Sequence, residues 1–179
     1  MKISDNFDLR ELVNPGIYNH PQVGDRCADW IHPATGETLE SIKLATGDVI
    51  TINDWLWNGG YVDSGLRMPV TVPEQSEFMD VMNKNISKGP DKLFEAISAL
   101  FIGVGAILST HRQGCGFDLK PKHMTAQELH SFILKNQHLF PHIVRMESIE
   151  ATTGKYTSWV HIEIGSARPS GVDIVVFNP

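Results

Sequence analysis

Near the C-terminus, apolar and polar positions alternate with the period of a strand. In SWVHIEI, residues 158–164, the alternation puts Trp159, His161 and Glu163 on one face and Val160, Ile162 and Ile164 on the other. HIVRMESIEA (142–151) and GVDIVVFNP (171–179) read as two further strands, GFDLKP (116–121) as a short one, and the β-branched run DVITINDW (48–55) as another. Elsewhere the spacing is helical. NFDLRELV (6–13) predicts a short helix capped by Asp8 with Phe7, Leu9 and Leu12 inward, broken at Pro15–Gly16. A second helical region spans roughly Arg26 to Ala45, interrupted at HPATG, with Leu39, Ile42 and Leu44 as its inward stripe and Gly47 at its end. EQSEFMDVMNKNI (74–86) and AISALFIGVGAIL (96–108) predict two more helices, parted at KGPD. MTAQELHSFILKN (124–136) places Thr125 and Glu128 as a capping box ahead of an amphipathic helix.

Helices early and strands late predict an α+β domain, an antiparallel sheet with helices packed on one face. At 179 residues the chain has the length of one domain with a real core. The 13-residue apolar stretch 96–108 is shorter than the roughly 20 residues a membrane span needs. A formal net charge of −6, with no local basic cluster, argues against a nucleic-acid partner. The polar opening MKISDNFDLREL lacks the apolar core of a signal peptide, so synthesis in a reducing cytoplasm is expected. Two cysteines, Cys27 and Cys115, make no disulfide framework.

The chemistry concentrates in STHRQGCGFDL, residues 109–119, where His111 and Asp118 stand seven positions apart across a glycine-rich turn. Gly114 and Gly116 let the backbone turn tightly enough for both side chains to face one point. Together with a later histidine they would form a three-ligand set with an open fourth position, as catalytic zinc sites have. His161 is the best placed, since its strand points it away from a β-branched row, although a lone histidine there is usually a solvated or structural residue. His20, His32, His123, His130, His138 and His142 sit in turns or at helix ends and read as surface residues. Two imidazoles and one carboxylate also make the facial triad of non-haem iron(II) oxygenases, whose first His and acid stand closer together than seven residues.

Four segments in order resemble the zinc D-alanyl-D-alanine carboxypeptidase and endopeptidase family, which includes phage endolysins and the vancomycin-resistance dipeptidases. They are FDLREL, SGLRMP (64–69), the pattern SxHxxGxGxD at Ser109, His111, Gly114, Gly116 and Asp118, and WVH at 159–161. The wider combination is most similar to phage proteins of that group and spans most of the chain, with residues 70–108 as an insertion. The resemblance implies a hedgehog/D-Ala-D-Ala peptidase-like fold, zinc held by His111, Asp118 and His161, and Arg67 as the cation for a substrate carboxylate or the scissile carbonyl. It implies a second, supporting role for Ser109 by hydrogen bonding. The implied activity is cleavage of peptidoglycan peptides, by a lysin that reaches the wall through a holin or as part of the virion, where phage structural proteins would be its partners.

One position departs from the pattern. The family carries an acidic general base three residues before its last zinc histidine, and here that residue is Ser158. A serine hydroxyl cannot take a proton near neutral pH as a carboxylate does. Glu147 and Glu150 on the preceding strand are the substitutes, Glu147 favoured because VRMES resembles the corresponding strand of the phage proteins. Trp55, Trp57 and Trp159 are candidate walls of a substrate pocket. The alternative function is a non-catalytic virion, tail or wall-binding protein that keeps the peptidase fold.

Overall fold

Alternation becomes register in the computed structural model, which describes residues 1–67, 72–102, 109–149 and 158–178. Five strands, β1 (Ile50–Thr51), β2 (Gly116–Pro121), β3 (Ile143–Glu147), β4 (Val160–Ile164) and β5 (Val175–Phe177), form one sheet in the order β1-β2-β4-β3-β5. Phe117 pairs with Ile162 and Leu119 with Val160, and Met146 faces Ile162 from the other side, so one face of the sheet is wholly apolar. The α5 helix (Ala126–Lys135) packs on β2 and β4, burying Ala126, Leu129 and Ile133, and α2 (Thr35–Thr46) lies against α5. Burying each such Leu, Ile or Phe side chain contributes roughly 1.5–3 kcal/mol.

Local signals set the helix ends. Thr125 Oγ1 accepts from the Glu128 N–H at 3.2 Å, and Glu128 Oε2 accepts from the Thr125 N–H at 2.7 Å, a complete capping box. Asp8 and Glu11 make the same reciprocal pair around a single turn of 3-10 helix, Leu9–Glu11, with Phe7, Leu9 and Leu12 buried. Pro15 opens the short helix α1 (Pro15–Tyr18), and Gly47 closes α2 in the left-handed conformation. Residues 72–102 form a helical pair, α3 (Val72–Asn85) and α4 (Pro90–Ile102). Phe78, Met82, Leu93 and Ile97 join the main hydrophobic cluster, and Phe94 stacks on Trp30 with ring centroids 5.1 Å apart.

Three expectations change. The sheet is α+β in class but mixed in pairing, because β5 runs parallel to β3 (Arg145 beside Val175, Glu147 beside Phe177). The run 48–55 keeps only two strand residues, since the backbone of Asn53 and Asp54 turns to bond Glu11 and Tyr61 instead of a neighbouring strand. Leu44 is 73% exposed, because a position two residues after Ile42 lies about 200° round α2, away from the side that Leu39 and Ile42 bury. The glycine-rich end of 96–108 and the last two residues of the run 142–151 lie outside the described residues. Among the described residues, no helix is long and apolar enough to cross a membrane.

Asp48 ties the end of α2 to the start of α5. Its buried carboxylate accepts from the backbone N–H groups of Val49, His123 and Met124, at 2.7 to 3.1 Å. Burial would raise its pKa from the ordinary 3.8, but the three donors outweigh it and hold it lower. A carboxyl whose folded pKa is depressed stabilises the fold above its unfolded pKa, and that contribution disappears as pH falls through the folded value. Asp48→Ala should therefore cost about 1–3 kcal/mol at neutral pH. In urea titrations from pH 7 down to pH 2, the gap between wild type and variant should narrow below about pH 4. A gap that stays constant through that range would contradict the assignment.

Candidate metal centre

The opposite face of the sheet is polar, yet it too is buried. Asp118, Lys120, His161 and Glu163 are each no more than 8% exposed. Asp118 on β2 stands directly across from His161 on β4, and Asp118 Oδ1 lies 2.9 Å from His161 Nδ1. Both residues sit mid-strand, so their backbones are held by the ladder and their side chains can only project to this face.

His111 reaches the same place from the turn before β2. Thr110 O accepts from the N–H groups of Cys115 and Gly116 at 3.1 and 2.9 Å, closing the loop on itself. Gly114 has φ +68°, and a Cβ there would lie 1.7 Å from the Trp30 carbonyl oxygen. A Cβ on Gly116 would lie 2.7 Å from the His111 backbone nitrogen. Only glycine allows either approach, and the result is a buried His111 whose Nε2 lies 3.3 Å from Asp118 Oδ1. The sequence pattern G-x-G is thus a packing requirement of the ligand turn.

Arg67 completes the group. Its Nη2 is 2.7 Å from Asp118 Oδ2 and 2.7 Å from His111 Nε2. On the far side of the ring, His111 Nδ1 lies 3.1 Å from the Gly65 carbonyl oxygen. That carbonyl can only accept, so Nδ1 carries the proton, and Nε2 presents a lone pair to the guanidinium. Burial depresses the His111 pKa, with the charges of Arg67 and His161 acting in the same sense and Asp118 opposing them. Burial also works against ionisation of Asp118, but the ring nitrogens of His111 and His161 outweigh it and hold the carboxyl well below the usual carboxylate range. For His161, burial alone would lower the pKa; the Asp118 and Glu163 carboxylates reverse that and raise it to about 9.

The donor set fits a divalent cation. One ligand atom from each of His111, Asp118 and His161 lies within 4.8 Å of the other two, and all three residues are buried. Tetrahedral zinc with bonds of about 2.0–2.2 Å keeps its ligand atoms roughly 3.4 Å apart. The His111–Asp118 pair already stands at that spacing. Two acceptors facing each other across 3.3 Å of buried space need positive charge beside them, and Arg67 supplies it here. The Nδ1–H to Gly65 contact is the outer hydrogen bond that orients a metal-binding histidine. His161 Nε2 has Thr110 Oγ1 at 3.4 Å and Glu163 Oε1 at 3.8 Å on its own outer side.

The remaining candidates are spread around this group. Glu147 is half-buried at the end of β3, one ladder step beyond the Met146–Ile162 pair; alternation with Arg145 gives it the face of His161, and its charge helps raise that histidine's pKa. Glu150 lies outside the described residues, and Ser158 is exposed just before β4. Ser109 begins the ligand turn, where its carbonyl accepts from the Arg112 N–H. Trp55 donates its Nε1–H to the Val13 carbonyl at 2.9 Å and is a structural brace, whereas Trp57 is 61% exposed. The other six histidines are exposed or half-buried and stand apart from the cluster. Glu163, bound by Arg145 at 3.2 Å, and Lys120 belong to the same polar face; alternation in HIEI and GFDLKP carries the signal for both. A surface groove of about 830 Å³ between the end of α2 and the start of α5 contains none of the cluster.

Comparison with family models, with curated proteins and with solved structures finds no match to this chain.

The geometry predicts one high-affinity divalent site per chain. Replacing His111, Asp118 or His161 by Ala should weaken zinc binding by at least about 100-fold in competition titrations against a chromogenic chelator, more than the loss of an outer hydrogen bond would. Wild-type affinity in any of the three would remove that residue from the ligand set.

Proposed function

We propose that this chain is a zinc-dependent peptidase of the D-alanyl-D-alanine carboxypeptidase and endopeptidase type, with that family's fold, acting on peptidoglycan peptides. The observation that carries the reading is the convergence of His111, Asp118, His161 and Arg67, from three separate motifs, on one buried point. Bound zinc would supply Lewis acidity toward the scissile carbonyl and an acidified water.

The chain's own groups divide the remaining work. Three protein ligands leave room for water or substrate in the fourth position. Arg67, 28% exposed, would offer its remaining donors to a substrate carboxylate or to the oxygen that gains charge during cleavage. Glu163 is committed to Arg145 and His161, which makes it an orienting group for His161. Glu147, on the same face and without that commitment to Arg145, would take and return the proton that Ser158 cannot. Delivery to the wall through a holin or within the virion belongs to the same proposal.

A second reading rests on one observation. The position where the family places its base is an exposed serine, as expected of a virion, tail or wall-binding protein that retained the fold without cleavage. An iron(II) site with the same donors is the third. Metal analysis of protein purified without added metal separates zinc from iron. Digestion of purified peptidoglycan with and without chelator, read by mass spectrometry, separates enzyme from binder. The peptidase reading predicts chelator-sensitive release of D-alanine or of a new amino terminus. It also predicts that Glu147→Gln lowers the rate about 10²–10⁴-fold while zinc affinity is kept. Absence of any chelator-sensitive product from the wild type would favour the binder.

A further inference from the structure

Lys120 is a buried ammonium, 8% exposed, two residues beyond Asp118 on the same strand face. Its Nζ donates to the Ile52 carbonyl at 3.1 Å, to the Ser64 hydroxyl and to the Asp118 carbonyl at 3.4 Å, and the Tyr61 ring lies over it at 4.5 Å. All of these partners are neutral. A buried ammonium whose direct acceptors are all neutral, with the Asp118 and Asp54 carboxylates attracting it only from beyond hydrogen-bond distance, is costly, and an apolar side chain of the same length would fill the space at lower cost. The group therefore needs a reason beyond packing.

The reason lies in what its three bonds join. Ile52 directly follows β1, Ser64 begins the S-G-L-R loop, and Asp118 carries the central carboxylate. Ser64 is also fixed through its backbone: its N–H donates to Asn53 Oδ1 at 2.8 Å and its carbonyl accepts from the Asp118 N–H at 2.7 Å. The next carbonyl, that of Gly65, orients the His111 ring, and Arg67 follows two residues later. Leu66 anchors the loop from the other side through backbone bonds with Leu12 and Asn14. A displacement of Ser64 would move the Gly65 carbonyl away from His111 Nδ1.

We infer that Lys120 is a positioning residue for the metal centre, clamping the 64–67 loop to β2 so that Gly65 presents the His111 lone pair and Arg67 faces Asp118. The inference deepens the metal-site reading and rests on it. Its test compares the full-length wild type with Lys120→Met, which keeps length without charge, and with Ser64→Ala, which removes only the acceptor. Two readouts apply at temperatures where circular dichroism shows each protein folded. The first is the nitrogen-15 NMR spectrum of the His111 ring in metal-free protein. The wild type should show a protonated Nδ1 and a bare Nε2, and both variants should lose that preference. The second is zinc affinity, expected to fall about 10- to 100-fold in Lys120→Met, the range for outer partners of metal ligands.

An unchanged His111 tautomer together with unchanged zinc affinity in either folded variant overturns the inference. Should Lys120→Met fail to fold, Ser64→Ala decides the matter by the same two readouts. If the wild type takes up no zinc, the metal reading falls, and the His111 spectrum still decides whether Lys120 sets the ring.

Discussion

Asp118 and His161 meet across two hydrogen-bonded strands on ground that a half-buried sheet would leave to solvent or fill with aliphatic side chains. Everything else on that face follows from their burial. A carboxylate held away from water needs compensating donors or positive charge, and it has Arg67 and His161. His161 in turn has Glu163, and Glu163 has Arg145, whose guanidinium stacks 4.1 Å from the Phe177 ring. The result is a line of alternating charge across the sheet, with ligand atoms turned toward a shared point. Such a network is expensive as a stability device, because well-packed apolar residues would serve a core at least as well. A metal ion that His111, Asp118 and His161 could hold together would give the network a use beyond stability.

The placement of loops answers the same need. His111 arrives from a turn so tight that two glycines are required, and Arg67 arrives on a loop pinned by Lys120, Asn53 and Leu12. Rigid strands supply two candidate ligands, and clamped loops supply the third and the guanidinium. Preorganisation of this kind keeps ligand atoms within reach before metal arrives, so little of the binding energy is lost to ordering the chain. The apolar face carries the other half of the burden: α5 and α2 cover it, leaving the polar face free to be specialised.

Much of this was legible in the residues. The period-2 runs around Phe117 and Ile162, the Thr125–Glu128 capping box and the Gly47 helix stop are local signals whose physical meaning is fixed by backbone geometry, and they reappear in the structure. Strand parity alone leaves His161 more readily solvated than ligating; the family resemblance singles out His111, Asp118 and His161 together, and the structure brings the three side chains to one place. What pattern could not carry was non-local. Glu163 shares the face of His161 by alternation and is legible as a possible partner of it, whereas Lys120 looks like an ordinary solvent-face charge until the loops that bury it are in place. The parallel pairing of β5 depends on where the chain returns after residue 165, whereas Leu44 is exposed for a local reason, since the helical period puts it on the far side of α2 from Ile42. The role of Glu147 depends on register across the bulge in β3, which sequence spacing does not encode.

The central claim is that these three side chains bind one cation together. X-ray absorption at the zinc edge, on full-length protein loaded with one equivalent of zinc, measures that directly. The account predicts two imidazole nitrogens and at least one oxygen at about 2.0–2.2 Å, with no sulfur at about 2.3 Å. A sulfur shell from Cys115, or a shell of water oxygens lacking imidazole, would contradict it.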